Sequence, residues 1–368
     1  MNKTVLLTAG GTGGHLFPAQ ALASELNRRG WTVELATDER ADKYGTAFPA
    51  RAVHIIASET IRGKNPVSLA RTGISLFRGT LQARSLIRSL RPDVVAGFGG
   101  YPTFPPMFAA RLTGTPSILH EANGVMGRAN KMLARGATAI ATSVPIAGLS
   151  QELNAKLVET GNPVRDAVLE AAGKPYEAPA DGGAFNLLVF GGSQGARFFS
   201  DALPPALALL PEDIRSRLRL VQQCRPEDID RVRKACEGLG VAAECASFFQ
   251  DMPERISQSH LVICRSGASS VSELSVLGRP SILVPLPGAI DQDQAANARV
   301  LEEAGGAWPI READITPERL SSEITRFMNN PAMLATAADA ARRVARPDAV
   351  KRLADLFETV AAKKGERP

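Results

Sequence analysis

The chain has 368 residues, 44% of them hydrophobic and 22% charged, with a formal net charge of +5. That length suits two domains with separate cores, and the composition is that of a folded globular protein. The basic balance points to an anionic partner without choosing among nucleic acid, phosphate ligands and membrane, and three Tyr and two Trp argue against the stacking platforms of a single-stranded nucleic-acid binder. No apolar run approaches a membrane span, and the four cysteines (Cys224, Cys236, Cys245, Cys264) lack paired metal spacing. The first residues enter a strand directly, without a signal-peptide pattern. Free thiols in a reducing cytosol are expected.

Taken in order, Thr4-Val5-Leu6-Leu7-Thr8 is an unbroken β-prone run of the kind buried on both faces. It feeds Ala9-Gly10-Gly11-Thr12-Gly13-Gly14-His15, after which Pro18 marks a helical start and Ala21, Leu22 and Leu26 recur at helical spacing. Strand, glycines and helix together present bare backbone amides at a helix N-terminus. Such a site takes an anion, phosphate above all. Strand-like runs follow at 32–36, 53–56, 93–97, 117–119 and 139–141, with helical patterns between most of them, which predicts a mostly parallel sheet. A second glycine turn, Gly97-Phe98-Gly99-Gly100-Tyr101-Pro102, follows the run at 93–97 and should face the same crevice. His120-Glu121-Ala122-Asn123 follows the next run, on a rim where titratable and amide groups are expected to act on a ligand.

Residues of about 67–90 read as one long helix with two apolar faces. Leu69, Leu76, Ala83, Ile87 and Leu90 suit the sheet, while Ile74, Phe77 and Leu81 form a second face beside Arg78, Arg84 and Arg88. From residue 60 to 92 there are seven basic residues and no acidic one. An apolar stripe with a basic flank suits an anionic membrane surface; packing on two sides inside the protein is the alternative.

Gly161-Asn162-Pro163-Val164-Arg165 reads as a turn, and residues 173–183 have the Pro, Gly and Ala content of a linker. Leu187-Leu188-Val189-Phe190-Gly191-Gly192-Ser193-Gln194-Gly195 then repeats the pattern of Leu6 to Gly14, with Ser193 matching Thr12. This is internal duplication of a doubly wound α/β domain, and it predicts a cleft between the halves. Further strands are expected at 186–190, 218–222, 243–247, 261–264 and 281–284, with helices near 202–210, 226–239 and 291–304. The turn Arg265-Ser266-Gly267-Ala268-Ser269-Ser270 opens a helix that carries Glu273, with Ser269 and Ser270 placed to cap it. The expected domains are 1–165, a linker at 166–184, 185–345, and a C-terminal helix at 346–368 packing back on the first.

Together these motifs, with Ala196-Arg197, Gln294 and Asn297, resemble the MurG family, UDP-N-acetylglucosamine transferases that act on lipid I in peptidoglycan synthesis. The resemblance covers nearly the whole chain. It implies an α/β GT-B fold, two facing Rossmann-like doubly wound parallel-sheet domains with a cleft between them. It implies inverting transfer of N-acetylglucosamine from the UDP sugar to the muramyl 4-hydroxyl of undecaprenyl-diphospho-muramoyl-pentapeptide (lipid I), giving lipid II. The implied partners are UDP-N-acetylglucosamine, lipid I, an anionic membrane surface on the cytoplasmic face of the bacterial inner membrane, and other cell-wall synthesis proteins. No nucleic acid, cofactor or metal is implied.

Carried over residue by residue, the resemblance assigns Thr12, Gly13, Gly14, Asn123, Arg165, Ser193 and Gln194 to the donor site. The backbone of Phe249, Ala268, Ser269 and Ser270 would border uracil and phosphate, Glu273 would accept the ribose hydroxyls, and Asp293 and Gln294 would meet the hexose. Gly14, His15, Gly99, Gly100 and Tyr101 would hold the acceptor diphosphate. His15 is the candidate base because imidazole titrates near neutral pH; a histidine that only hydrogen-bonds an acceptor phosphate is the alternative. The membrane face would be Ile74, Phe77, Arg78, Leu81, Arg84 and Arg88. Two positions depart from the family pattern: Ala122 replaces a glutamine, and Asp293 stands where His or Gln is usual. Two other classes compete. A dinucleotide-dependent oxidoreductase could use Gly11 and Gly13 with Asp38, although Leu16 occupies the third glycine position of that fingerprint. A non-catalytic nucleotide-sugar sensor would share fold and basic face.

Overall fold

A computed structural model describes residues 3–10, 13–39, 48–59, 65–146, 148–288 and 293–365, the side chains of 66–69, 193–196, 364 and 365 excepted. The chain forms two compact units, residues 1–165 with 347–368, and residues 166–346.

The first unit is built on seven parallel strands: β1 (Thr4–Thr8), β2 (Thr32–Thr37), β3 (Ala52–Ile55), β4 (Val94–Gly97), β5 (Ser117–Glu121), β6 (Ala139–Thr142) and β7 (Leu157–Glu159). Their order is β3-β2-β1-β4-β5-β6-β7, so the chain winds outward from β1, crosses back, and winds outward again from β4. The run Val5-Leu6-Leu7 is wholly buried because helices cover both faces of its strand. On one face lie helices Gly13–Arg28 and Ala349–Gly365, which share a core of Leu22, Leu26, Val33, Leu353 and Phe357. Arg29 fastens these two helices, pairing with Glu25 at 2.9 Å and with Asp355 at 2.6 Å. On the other face, helices Pro66–Leu90 and Phe104–Thr113 enclose Leu6, Ala36, Ala83, Ile87, Met107 and Leu119. The C-terminal helix is therefore part of the first unit's core, where each fully buried Phe or Leu contributes roughly 1.5–3 kcal/mol.

The second unit repeats the winding with six parallel strands: β8 (Phe185–Phe190), β9 (Leu218–Gln223), β10 (Ala242–Ala246), β11 (Leu261–Cys264), β12 (Ser281–Leu283) and β13 (Ala307–Pro309). The order is β10-β9-β8-β11-β12-β13. Residues 166–171 are helical and belong to this unit. The chain just after them is clasped by two arginines: Arg342 Nη2 donates to Ala172 O at 3.2 Å and Lys174 O at 3.0 Å, and Arg279 Nη2 reaches Pro175 O at 3.5 Å. Arg279 is 1% exposed and bonded only to backbone carbonyls in its slot, and burial pulls its pKa down to about 10.

Several boundaries differ from the sequence expectation. The first helix begins at Gly13, so Pro18 lies inside it, and the helix expected near 202 begins at Gly192 and runs through Pro204 and Pro205. Glycine and proline depress helix propensity, which hid both starts; packing on the sheet overrides it. The tail is two helices, Pro331–Arg343 in the second unit and Ala349–Gly365 in the first.

Candidate active site

In an open parallel sheet, ligands gather at the carboxyl ends of the strands where the winding reverses. That point lies between β1 and β4 in the first unit and between β8 and β11 in the second. All four of these strands run into the glycine turns read from the sequence.

At the first switch point the two turns are bonded to each other, Gly10 N–H donating to Gly99 O at 3.2 Å. Thr103 Oγ1 braces the same carbonyl at 2.8 Å. Gly99 (φ +94°) and Gly100 (φ +79°) occupy the left-handed region, and the ring of His15 lies against them. A Cβ on Gly99 would stand 2.9 Å from His15 Cε1 and 3.0 Å from Nδ1. Glycine is therefore required there for both backbone and space. His15 itself is partly exposed on the first turn of helix Gly13–Arg28, next to the exposed Gly14. Half-buried Tyr101 opens the short turn Tyr101–Thr103 leading to helix Phe104–Thr113. Thr12 lies outside the described residues.

The His120-Glu121-Ala122-Asn123 segment is not a rim of reactive groups, as the sequence suggested. His120 and Glu121 are each only 2% exposed. Glu121 is a lock: Oε1 accepts from Asn123 N and Nδ2, both at 3.1 Å, and Oε2 accepts from Gly127 N at 2.9 Å and Asn130 Nδ2 at 2.8 Å. Burial raises its pKa against the pull of those donors. The carboxylate so shapes the loop that carries Asn123. His120 stacks at 5.1 Å on Phe98, and its ring nitrogens make no well-formed hydrogen bond, the Gly161 backbone lying near without good alignment. Burial, with a smaller push from nearby His15, lowers its pKa to about 4. Arg165 lays its guanidinium over the Phe17 ring at 3.9 Å, against helix Gly13–Arg28.

At the second switch point, helix Gly192–Ala208 has Gly191 as N-cap and no side-chain cap bond. Gln223, at the end of β9, accepts from Gly192 N–H at 3.1 Å, a contact the sequence did not reveal. Ser193 and Gln194 lie in the first turn of this helix, their side chains outside the described set. Helix Ala268–Leu277 likewise starts from Gly267 without a side-chain cap, so half-buried Ser269 and Ser270 sit inside the first turn with Ala268 and do not cap it, contrary to expectation. Glu273, 8% exposed, follows in the second turn. Phe249 is buried beneath the Arg255 guanidinium, 4.3 Å above its ring. Gln294 opens helix Asp293–Ala304: its N–H donates to Asp293 Oδ1 at 3.0 Å, and its Oε1 accepts from Leu286 N at 2.9 Å. Among the described residues, no group of three or more His, Cys, Asp or Glu could hold a metal ion.

The long helix Pro66–Leu90 separates its two faces sharply. Thr72, Thr80, Ala83 and Ile87 are buried, and Leu76 and Leu90 half-buried, whereas Ile74 (62%), Phe77 (66%) and Leu81 (49%) are exposed. Arg78 and Arg88 are exposed beside them and Arg84 is half-buried. The second apolar face is therefore not internal packing. Leu69's side chain lies outside the described set. No helix among the described residues is long and apolar enough to cross a membrane.

Two doubly wound parallel sheets, each with glycine turns at its switch point, have the architecture of the GT-B glycosyltransferases. Comparison with known proteins agrees. The glycosyltransferase family 28 N-terminal domain matches residues 5–142 and the family 28 C-terminal domain matches residues 186–353. A Brucella canis protein named UDP-N-acetylglucosamine–N-acetylmuramyl-(pentapeptide) pyrophosphoryl-undecaprenol N-acetylglucosamine transferase is 54% identical over 371 residues, covering 99% of this chain and 98% of its own. Its namesake from Chelativorans is 53% identical over 360 residues, covering 98% and 96%. The crystal structure of Acinetobacter baumannii MurG aligns with a TM-score of 0.75 at 30% identity, covering 97% of this chain and 99% of that one. The chain belongs to the MurG family of glycosyltransferases.

Buried His120 gives the first unit a defined acid response. Its folded pKa of about 4 lies below the ordinary histidine value, so below about pH 6.5 the unfolded chain takes up a proton that the folded chain refuses. Stability present above pH 6.5 should fall as pH drops toward 4, by on the order of 2–3 kcal/mol at pH 4.5. Urea denaturation at pH 7 and 4.5 measures this, and His120→Phe should flatten the difference. Equal pH dependence in both proteins would refute it.

Proposed function

We propose that this chain transfers N-acetylglucosamine from UDP-N-acetylglucosamine to the muramyl 4-hydroxyl of lipid I, with inversion, forming lipid II. The observation that carries the reading is the second switch point, where two helices direct their N-terminal backbone amides from the strand ends and Glu273 stands buried along one of them. A nucleoside diphosphate supplies the acceptors those amides want. The start of helix Gly192–Ala208, with Ser193 and Gln194, takes the diphosphate. The backbone of Phe249 and of Ala268, Ser269 and Ser270 borders the uracil and phosphate, and Glu273 accepts the ribose hydroxyls. Asp293 and Gln294 meet the hexose. The names of the relatives at 53–54% identity support the same substrates.

Transfer breaks the bond from the sugar's C1 to the UDP oxygen while the acceptor oxygen bonds C1 from the opposite face. Negative charge grows on the departing UDP, and fixed backbone dipoles aimed at it need no reorganisation as it grows. The proton leaving the acceptor hydroxyl passes to His15, whose ring is seated on Gly99 and Gly100 at the first switch point. Gly14, Gly99, Gly100 and Tyr101 hold the acceptor diphosphate beside it.

The acceptor's polyprenyl tail stays in the bilayer, so the enzyme works peripherally on the cytoplasmic face of the inner membrane. Ile74, Phe77 and Leu81 enter the headgroup region, and Arg78, Arg84 and Arg88 hold anionic lipids.

Incubation of the purified chain with UDP-N-acetylglucosamine and lipid I should yield the lipid-linked disaccharide-peptide, and a chain that makes none overturns the reading. His15→Ala should lower kcat roughly 100-fold or more with UDP affinity unchanged. Retained kcat with a raised KM for the acceptor would instead assign His15 to phosphate binding.

Docking has its own test. Changing Ile74, Phe77 and Leu81 together to Ser should reduce binding to anionic vesicles and activity on full-length lipid I, and spare a short-chain soluble acceptor. Vesicle binding by the parent chain should weaken with salt, each Arg giving about 1 kcal/mol at low ionic strength. Co-sedimentation unaltered by the triple change would place docking on another face.

A further inference from the structure

We propose that Glu312 is a positioning residue for the donor's hexose, acting through Arg265 on the amide of Gln294; this rests on the donor-site reading above. Glu312 stands on the short turn Glu312–Asp314 just after β13. Arg265 ends β11's run into its glycine turn and is 6% exposed. Its guanidinium is wedged against Phe198 (5.0 Å) and Phe199 (5.2 Å) of helix Gly192–Ala208. Nη1 donates to the carbonyls of Val284 at 3.3 Å and Pro285 at 3.4 Å, and Nη2 donates to Glu312 Oε2. Glu312 reaches in from the half-exposed turn and gives this buried guanidinium a carboxylate partner.

The carbonyls that Arg265 holds belong to the chain leaving β12, one residue before Leu286. Leu286 N–H is the donor to Gln294 Oε1 at 2.9 Å, which orients that amide with its nitrogen turned from Leu286. The backbone of Gln294 is anchored separately: Ser266 Oγ donates to Gln294 O at 2.8 Å, and Asn297 Nδ2 donates to Ser266 O at 3.3 Å. Loss of Glu312 therefore leaves the helix start in place. What it releases is the 284–286 strand exit, and with it the side-chain amide aimed at the sugar. The ribose carboxylate, Glu273, lies on a different helix, Ala268–Leu277.

The inference separates hexose recognition from nucleotide recognition. Calorimetric titration of UDP and of UDP-N-acetylglucosamine into the full chain reads both. Glu312→Ala should weaken the sugar nucleotide about five- to tenfold and UDP less than about twofold, with the same factor in the donor KM and little change in kcat. Glu312→Gln, which keeps an acceptor for Arg265, should recover most of the loss, and it carries the test if the alanine variant does not fold. Equal weakening of both ligands, or a lowered thermal midpoint with the ratio of affinities unchanged, would make Glu312 merely structural and overturn the inference. A parent chain that binds UDP but not UDP-N-acetylglucosamine would instead defeat the donor assignment itself.

Discussion

Backbone N–H groups at the start of a helix have no partner within the helix, and in the second unit two such starts stand at the switch point of the sheet. Helices Gly192–Ala208 and Ala268–Leu277 both start from a glycine with no side-chain cap, and both begin at the strand ends where the winding reverses. Two later helices of the same unit meet the need with their own cap residues. Thr316 accepts from Arg319 N at 3.2 Å, and Asn330 accepts from Met333 N at 3.3 Å, at the starts of Pro317–Met328 and Pro331–Arg343. Partial positive charge at such a pair of helix starts favours an anionic ligand.

Around each switch point a buried charge organises the loops. Glu121 gathers four donors from residues 123–130 in the first unit, and Arg265 gathers two carbonyls, two rings and Glu312 in the second. Such groups are costly to bury and costly to strip of partners. That makes them effective clamps on segments that lack regular structure.

The parts of the fold legible in the sequence were those with a strong local signal. β1 and β8 are buried on both faces and so read as unbroken apolar runs, and their shared glycine pattern exposed the duplication and the parallel winding. β7 and β13 escaped notice because each is three residues long and only partly covered, so neither shows a period. Residues 166–184 read as linker by composition, yet Asp166–Ala171 is helical and the carbonyls beyond it are taken by Arg279 and Arg342, contacts from far along the chain. The exposed stripe of Ile74, Phe77 and Leu81 was visible as periodicity; that none of the described residues covers it was not. His120 and Glu121 looked reactive from residue type alone, and only burial shows them as packing and lock.

The central claim is that the amides at the two switch-point helix starts of the second unit receive the nucleotide diphosphate. Hydrogen–deuterium exchange of the full chain with and without UDP tests it most directly. Exchange should slow at residues 191–196 and 267–271 on adding UDP, and stay unchanged at residues 97–101. Protection at 10–15 with none at 191–196 would contradict the account.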